Sequence, residues 1–226
     1  MLASIFAAKK GCEVTLFEKN EKLGKKLYIT GKGRCNVTNN CDPEELLNSV
    51  VTNAKFLYSA FYTFTSQDMM EFLEEAGTSL KTERGNRVFP CSDHSSDVIR
   101  ALERQMKKYG VRIHLKSQVE RLLLEEGTAA GIILTDGSVH RAEAVIVATG
   151  GLSYPTTGST GDGYRFAREA GHTVTDLAPS LVPLRTKEEY IPASQEDAKE
   201  MAANLNLEAL KEYKENYSAL KKLAEQ

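Results

Sequence analysis

Residues 12–19 read CEVTLFEK, a short alternating run rich in the β-branched and aromatic residues that suit a strand, closing on an acid, Glu18. Ahead of it, residues 2–10 (LASIFAAKK) carry Leu2, Ile5, Phe6 and several alanines on one helical face, and Gly11 stands where a helix-ending glycine belongs. Helix, strand, then an acid at the strand end is the second half of a dinucleotide-binding βαβ unit. In that unit the acid accepts hydrogen bonds from ribose hydroxyls about 20 residues after a glycine-rich phosphate loop. Glu18 stands at that distance from where such a loop belongs, and the expectation is that the first strand and its GxGxxG loop would lie ahead of Met1. Taken alone, Glu18 reads equally well as a solvated strand-end carboxylate.

A second glycine-dense stretch, TGKGRCNVTN (30–39), favours the dinucleotide. Gly31 and Gly33 permit a backbone that can aim amides at an anion or lie against a flat ring system. Arg34 offers a fixed charge for a pyrophosphate or polar ring edge, and Asn36 offers both a donor and an acceptor. The GxxxxGK[ST] spacing of a P-loop is absent. Cys35 beside Arg34 suggests a reactive thiol, but with no adjacent resolving cysteine it reads better as a small packed residue.

Between these loops and the end of the chain the pattern is mixed α/β. Residues 43–76 read as one continuous helical region, with Pro43 in the first turn, Ser66 as an N-cap and Gly77 as terminator. SLKTER and RVFP around Gly85-Asn86 read as a hairpin, and residues 95–109 as an amphipathic helix capped by Ser95 or Ser96. VRIHL, QVERLLLEE and AAGIILTD follow as strands. AVIVATGG (144–151) is continuously apolar and reads as a central strand buried on both faces, with a cofactor loop at its carboxyl end. TGSTGDG (157–163) then opens a helix whose first amides favour an anion, with Asp162 placed to accept from a ribose or ribityl hydroxyl. HTVTDL reads as strand-like. From about Thr186 the chain turns charged and helix-forming, with Leu210, Tyr213, Tyr217 and Leu220 at helical spacing.

Composition excludes several classes. The 226 residues carry a net charge of -2 with interspersed signs, so the basic face needed to neutralise nucleic-acid phosphates is missing. No run of about 18 apolar residues is available to cross a bilayer, and the apolar start lacks a basic leader, so a cytoplasmic protein is expected. Cys12, Cys35, Cys41 and Cys91 form no CxxC pair, and His94, His114, His140 and His172 share no metal-ligand spacing. No metal is expected; His94, beside Asp93, is the one histidine to test as an acid or base.

Four segments in order, GCEVTLFEKNEKLGKKLYITGKGRCNVTN, RVFPCSDHSSDV, VIVATGGLSYPTTGSTGDGY and PSLVPL, make the sequence closely similar to the BaiN-type bacterial flavoproteins, FAD-dependent oxidoreductases that include 3-dehydro-bile acid reductases and aminoacetone oxidase-like proteins. The resemblance spans residues 1 to about 190. It implies a Rossmann-like FAD/NAD(P)-binding domain of the glutathione-reductase type, occupying residues 1–190 with a mainly helical insertion at about 43–109 and followed by a charged helical tail, 191–226. It implies that Glu18, with Lys19 beside it, binds the adenosine ribose. Gly31, Gly33, Arg34, Cys35 and Asn36 would then line the pyrophosphate and flavin, and Val119 would meet the adenine through its backbone. Thr149, Gly150 and Gly151 would run along the cofactor, with Gly161 and Asp162 near the ribityl chain and ring. Such flavoproteins pass a hydride between NAD(P)H and a small organic substrate through the flavin. Against that family the chain is expected to be a fragment, lacking the first strand and glycine loop and the later substrate region, and so to bind FAD weakly or not at all. The alternatives are a non-catalytic binding module that acts, or self-associates, through its C-terminal helix, and a flavin-dependent RNA-modifying enzyme, which the charge disfavours.

Overall fold

The computed structural model describes residues 1–177; the tail from Thr186 with its expected helix lies outside them. In chain order come α1 (Leu2–Lys9), β1 (Thr15–Phe17), α2 (Lys25–Ile29), a 3-10 turn (Thr30–Gly33), β2 (Thr38–Asn39) and α3 (Pro43–Asn48). After a second 3-10 turn (Ala54–Leu57) follow α4 (Tyr58–Thr63), α5 (Ser66–Glu75), β3 (Leu80–Glu83), β4 (Arg87–Pro90) and α6 (Ser95–Lys108). The described part closes with β5 (Arg112–His114), β6 (Val119–Glu125), β7 (Thr128–Leu134), β8 (Val139–Arg141) and, after a short 3-10 turn at Pro155–Thr157, α7 (Asp162–Glu169).

β1 and β5 pair in parallel, Leu16 opposite Ile113. A parallel pair needs a long crossover, and here it is everything between them, returning through α6. That helix earns its place by its apolar stripe: Val98, Ile99, Ala101, Leu102 and Met106 are buried. Val98, Ala101, Leu102 and Met106 meet Ile5 of α1 and Phe72 and Leu73 of α5 in one core that also takes Leu23, Cys35 and Val111. Phe6 closes its edge, 5.3 Å from Phe64 and 5.6 Å from Phe72. The core thus fixes the helices around β1, at whose carboxyl end Glu18 lies; the ladder runs on there, Glu18 N–H donating to His114 and Ser117 N–H to Glu18.

The hairpin forms as expected, β3 against β4 with Gly85 and Asn86 both left-handed, and β2 adds to its outer side, Thr38 opposite Val88. β6, β7 and β8 form an antiparallel meander, of which β8 is a strand the sequence pattern did not reveal.

Five expectations are corrected. The 43–76 region is not continuous: Asn53 is left-handed and Phe64 extended, which breaks it into three helices and a 3-10 turn, and Thr65, not Ser66, caps α5 through a reciprocal box with Asp68. His94, not Ser95 or Ser96, is the N-cap of α6, because the Ser95 hydroxyl donates to the Tyr28 carbonyl instead. Residues 172–177 form no strand. Nor do residues 144–151, where Ile146 is 66 % and Val147 43 % exposed. An apolar run becomes a buried strand only when neighbouring strands accept its backbone bonds and cover its faces, and among the described residues β1 pairs with β5 alone.

Candidate functional site

Two clusters gather the residues the sequence singled out. The first forms where the end of β1 meets the glycine-rich loop before α7. The Glu18 carboxylate accepts from the backbone N–H of Asn20 at 2.9 Å and from its amide at 2.7 Å, both on one oxygen, so the other takes no hydrogen bond among the described residues. Asn20 also reaches the Thr157 carbonyl. Beside it the Lys19 ammonium donates to Asp162 and Thr160, each at 2.6 Å. This ion pair is half-buried, and it sets the charge state of the acid: burial alone would raise the Asp162 carboxyl, but Lys19's hydrogen bond and charge, with Thr160 and Arg165, hold it below its ordinary value.

The loop fits round this contact without slack. A Cβ at position 158, where φ is +98°, would stand 2.7 Å from the Asn20 amide nitrogen and 3.1 Å from the Lys19 Cε, so a larger residue would be strained and would push both side chains out of this contact. A Cβ on Gly163 would stand 2.9 Å from the Thr149 hydroxyl oxygen. That hydroxyl is buried with no hydrogen-bond partner among the described residues, a state costing about 1–3 kcal/mol. Gly161 N–H donates to the Gly151 carbonyl, and Gly150 lies against Ser159, so 149–151 and 157–162 are two legs of one loop. Its tip projects outward. Tyr154 there is left-handed at φ 53° and ψ 69°, although it precedes Pro155, where extended backbone is favoured. Such conformations cost about 1–3 kcal/mol and persist where the surroundings over-determine them. Here Thr157 donates twice to the Tyr154 carbonyl, at 3.0 Å and 2.7 Å, and the Lys26 ammonium donates to Ser153. Val119 comes to the same place because Ser117 pairs with Glu18, and Arg165 of α7 donates to the neighbouring Glu120 carbonyl.

The second cluster is the loop at 31–36. Lys32 and Cys35 share the left-handed conformation of Gly31 and Gly33, which folds the loop back so that Cys35 is buried. Burial raises its thiol, which fits a packed residue rather than a reactive one. The Asn36 amide lies 3.1 Å and 3.2 Å from the Thr38 and Val88 carbonyl oxygens, with its nitrogen set toward them. Arg34 lies over the Phe89 ring and donates to Asp93 and Glu83, and Lys81 completes a quartet of two cations and two acids. Nothing in the sequence showed that Arg34 would find these partners, which arrive from the β3–β4 hairpin and the loop after it, 49 and 59 positions on.

The quartet has a measurable signature. Lys81's hydrogen bond and then Arg34's hold the Asp93 carboxyl below its ordinary value, and Arg34's bond does the same for Glu83. With folded values depressed, their stabilisation is present above the unfolded carboxylate range and is lost as pH falls through the folded values. In Arg34→Gln the Asp93 midpoint, followed by carboxyl 13C NMR, is expected to rise part of the way back, Lys81 holding the remainder. An unmoved midpoint would remove Arg34 from this network.

Comparison with known proteins now places the fold. The family model described as the HI0933-like protein Rossmann domain matches residues 1–206. The chain belongs to the HI0933-like Rossmann family. Among curated proteins, this HI0933-like chain is 33 % identical over 190 residues to a 3-dehydro-bile acid delta(4,6)-reductase of Clostridium scindens, covering 83 % of the chain and 45 % of the relative. It is 32 % identical over 185 residues to a ribosomal RNA dihydrouridine synthase of Haemophilus influenzae, covering 80 % and 45 %. The chain therefore spans less than half the length of these relatives. Mycobacterium smegmatis Sdh1 shares the fold at a TM-score of 0.55 and 19 % identity, over 75 % of this chain and 36 % of that one. The HI0933-like fold is thus the expected Rossmann-like, FAD-binding type, in a family of BaiN-type flavoproteins. The first cluster suits such a cofactor on its own terms: among the described residues it offers an acid with a free oxygen, a close glycine cradle and an orphaned buried hydroxyl. No described helix is long and apolar enough to cross a membrane.

Proposed function

We propose that this chain is the dinucleotide-holding part of an FAD-dependent oxidoreductase that passes a hydride from NAD(P)H to a small organic substrate, saturating a carbon–carbon double bond conjugated to a carbonyl. The observation that carries the cofactor reading is the convergence of Glu18, the Lys19–Asp162 pair and the orphaned Thr149 hydroxyl on one glycine loop. The reaction class is supported by the relatives: a 3-oxo ring unsaturated at carbon 4 and a uracil ring both carry a carbon–carbon double bond conjugated to a carbonyl.

In this reading the second oxygen of Glu18 takes the adenosine ribose hydroxyls and the backbone at Val119 takes the adenine. Asp162 accepts from the ribityl chain, while Thr149, Gly150, Gly151 and Gly161 line its path. Gly31, Gly33, Arg34, Cys35 and Asn36 form the wall along the pyrophosphate and flavin edge, Arg34 holding that wall rigid through Asp93 and Glu83. The bound flavin supplies the hydride chemistry. The substrate is a small molecule rather than nucleic acid, as the net charge of -2 favours, and the proposed setting is the cytoplasm. A uridine in RNA is the second reading, favoured by the dihydrouridine synthase relative; binding of ribosomal RNA at low salt decides it.

The test is fluorescence titration of the full chain with FAD and with FMN. Saturable quenching by the chain of FAD but not of FMN is expected, because Glu18 reads the adenosine half. Anaerobic addition of NADH or NADPH should then bleach the flavin's visible absorbance. No saturable binding of FAD sinks the cofactor reading.

A further inference from the structure

The tip of the 149–162 loop is held in an unfavourable conformation and presents its side chains outward, with Tyr154 68 % and Leu152 52 % exposed. An aromatic residue gains nothing for the fold by standing in water on a left-handed backbone ahead of a proline. Glycine would accept the same φ without strain. Three hydrogen bonds nonetheless fix the tip, two onto the Tyr154 carbonyl and one from Lys26 onto Ser153. The backbone that carries the tyrosine ring is thereby held in one place. The Lys26 ammonium stands over the ring, 5.1 Å from its centroid, and of its three donors one goes to Ser153 among the described residues. Both legs of the loop are the cofactor cradle, so whatever lies on this ring lies at the cradle's rim.

We propose that Tyr154 and Lys26 form the substrate platform of the site. The ring stacks on the flat face of a conjugated carbonyl compound, and the Lys26 ammonium donates to its carbonyl oxygen. This rests on the proposed reduction of a conjugated double bond. Hydride passed from NAD(P)H by way of the cofactor to the β-carbon would drive negative charge onto that oxygen until a proton from solvent reaches the α-carbon, so a donor there lowers the barrier as well as orienting the ring. Stacking selects for planarity. An aromatic face offset-stacks on another flat π-system, whereas a saturated ring is puckered and touches it over less area. The shared chemistry, an α,β-unsaturated carbonyl in a ring, is met by a steroid enone or by a uracil, and Leu152 beside the tyrosine suits the more apolar of the two.

The experiment is equilibrium dialysis of the full chain, with and without FAD, against four probes: a 3-oxo-4-ene bile acid, its 4,5-saturated counterpart, uridine monophosphate and dihydrouridine monophosphate. The unsaturated member of one pair is expected to bind about tenfold or more tightly than its saturated partner, equivalent to about 1.4 kcal/mol; which pair does so names the source. Tyr154→Leu is expected to abolish that preference and Tyr154→Phe to keep it. With a carbonyl-13C probe, the resonance should move downfield on binding to the wild type and not on binding to Lys26→Met. Tyr154→Gly should leave the thermal midpoint unchanged or higher, where a ring with only a structural role would lower it. No preference in either pair, or a preference that survives Tyr154→Leu, overturns the platform. If FAD titrates but no probe discriminates, the platform falls and the cofactor reading stands; if a Tyr154-dependent preference appears without FAD binding, the reverse holds.

Discussion

Gly131→Ala is expected to lower the thermal midpoint by on the order of 10 °C, at about 2–4 °C per kcal/mol for a chain of this size. Gly131 lies in β7, the central strand of the meander, with φ at +148°, and a Cβ there would stand 2.1 Å from the His140 carbonyl oxygen and 2.9 Å from the Arg141 Cα. Both atoms are backbone, so no rotamer relieves the contact and β8 itself must retreat. On β7's other side the β6 register slips between Leu123 and Leu124, the irregularity that a strand-interior glycine commonly marks. Backbone strain of about 1–2 kcal/mol and overpacking of about 1–3 kcal/mol set the size of the effect. The damage should not stay local. His140 lies 4.6 Å from Phe17, the last residue of β1, so a displaced β8 disturbs the strand that presents Glu18. Differential scanning calorimetry gives the midpoint, and hydrogen exchange at Ala142, whose N–H donates to Ala130, reports the β7–β8 edge. A midpoint within about 2 °C of wild type would show that β8 yields freely.

How much of this was legible beforehand follows from the range over which each feature is decided. α1, the β3–β4 hairpin and α6 depend on neighbouring residues: the Gly11 stop, the Gly85-Asn86 turn, the apolar stripe of Val98, Leu102 and Met106. Periodicity and turn chemistry report those directly. AVIVATGG carried an equally clear apolar signal and forms no strand, because burial and pairing are conferred by other segments and a sequence run cannot report whether they are in place. The same division runs through the site. Glu18, Asp162 and the glycine loops were visible as residue types at strand ends and helix starts. The partners that fix them were not, since Lys19 meets Asp162 across 143 positions and Arg34 meets Asp93 across 59. Asn20 and Tyr154 gave a weaker signal still: an asparagine after an acid, a tyrosine before a proline, each commonplace until the chain folds.

Lys19→Met is expected to weaken FAD binding about tenfold, about 1.4 kcal/mol, and to destabilise the fold by about 1–3 kcal/mol. The Lys19 and Asp162 side chains are only 22 % and 18 % exposed, so the pair lies in a shielded contact where removing one partner strands the other. Without the ammonium, Asp162 keeps the Thr160 hydroxyl at 3.2 Å and Arg165 at 3.9 Å, too little to neutralise a carboxylate beside an approaching diphosphate. Asp162→Asn removes that stranded charge but also the strongest acceptor for a hydroxyl. Hence the double variant should bind FAD better than Lys19→Met and less well than wild type, a non-additivity that two independent surface charges would not give. The pH dependence fixes the sign. Because Asp162 is held below its ordinary value in the fold, its contribution is complete above the unfolded aspartate value of about 3.9 and is lost as pH falls through the folded value. The stability gap between wild type and Lys19→Met should therefore be full at neutral pH and close in acid, whereas a gap due to the lysine's packing alone would persist. Titrations of the three variants with FAD, beside urea unfolding at neutral and acid pH, separate the two. Equal FAD curves for wild type and Lys19→Met at neutral pH would take the ion pair out of the site and leave it as a strut between β1 and α7.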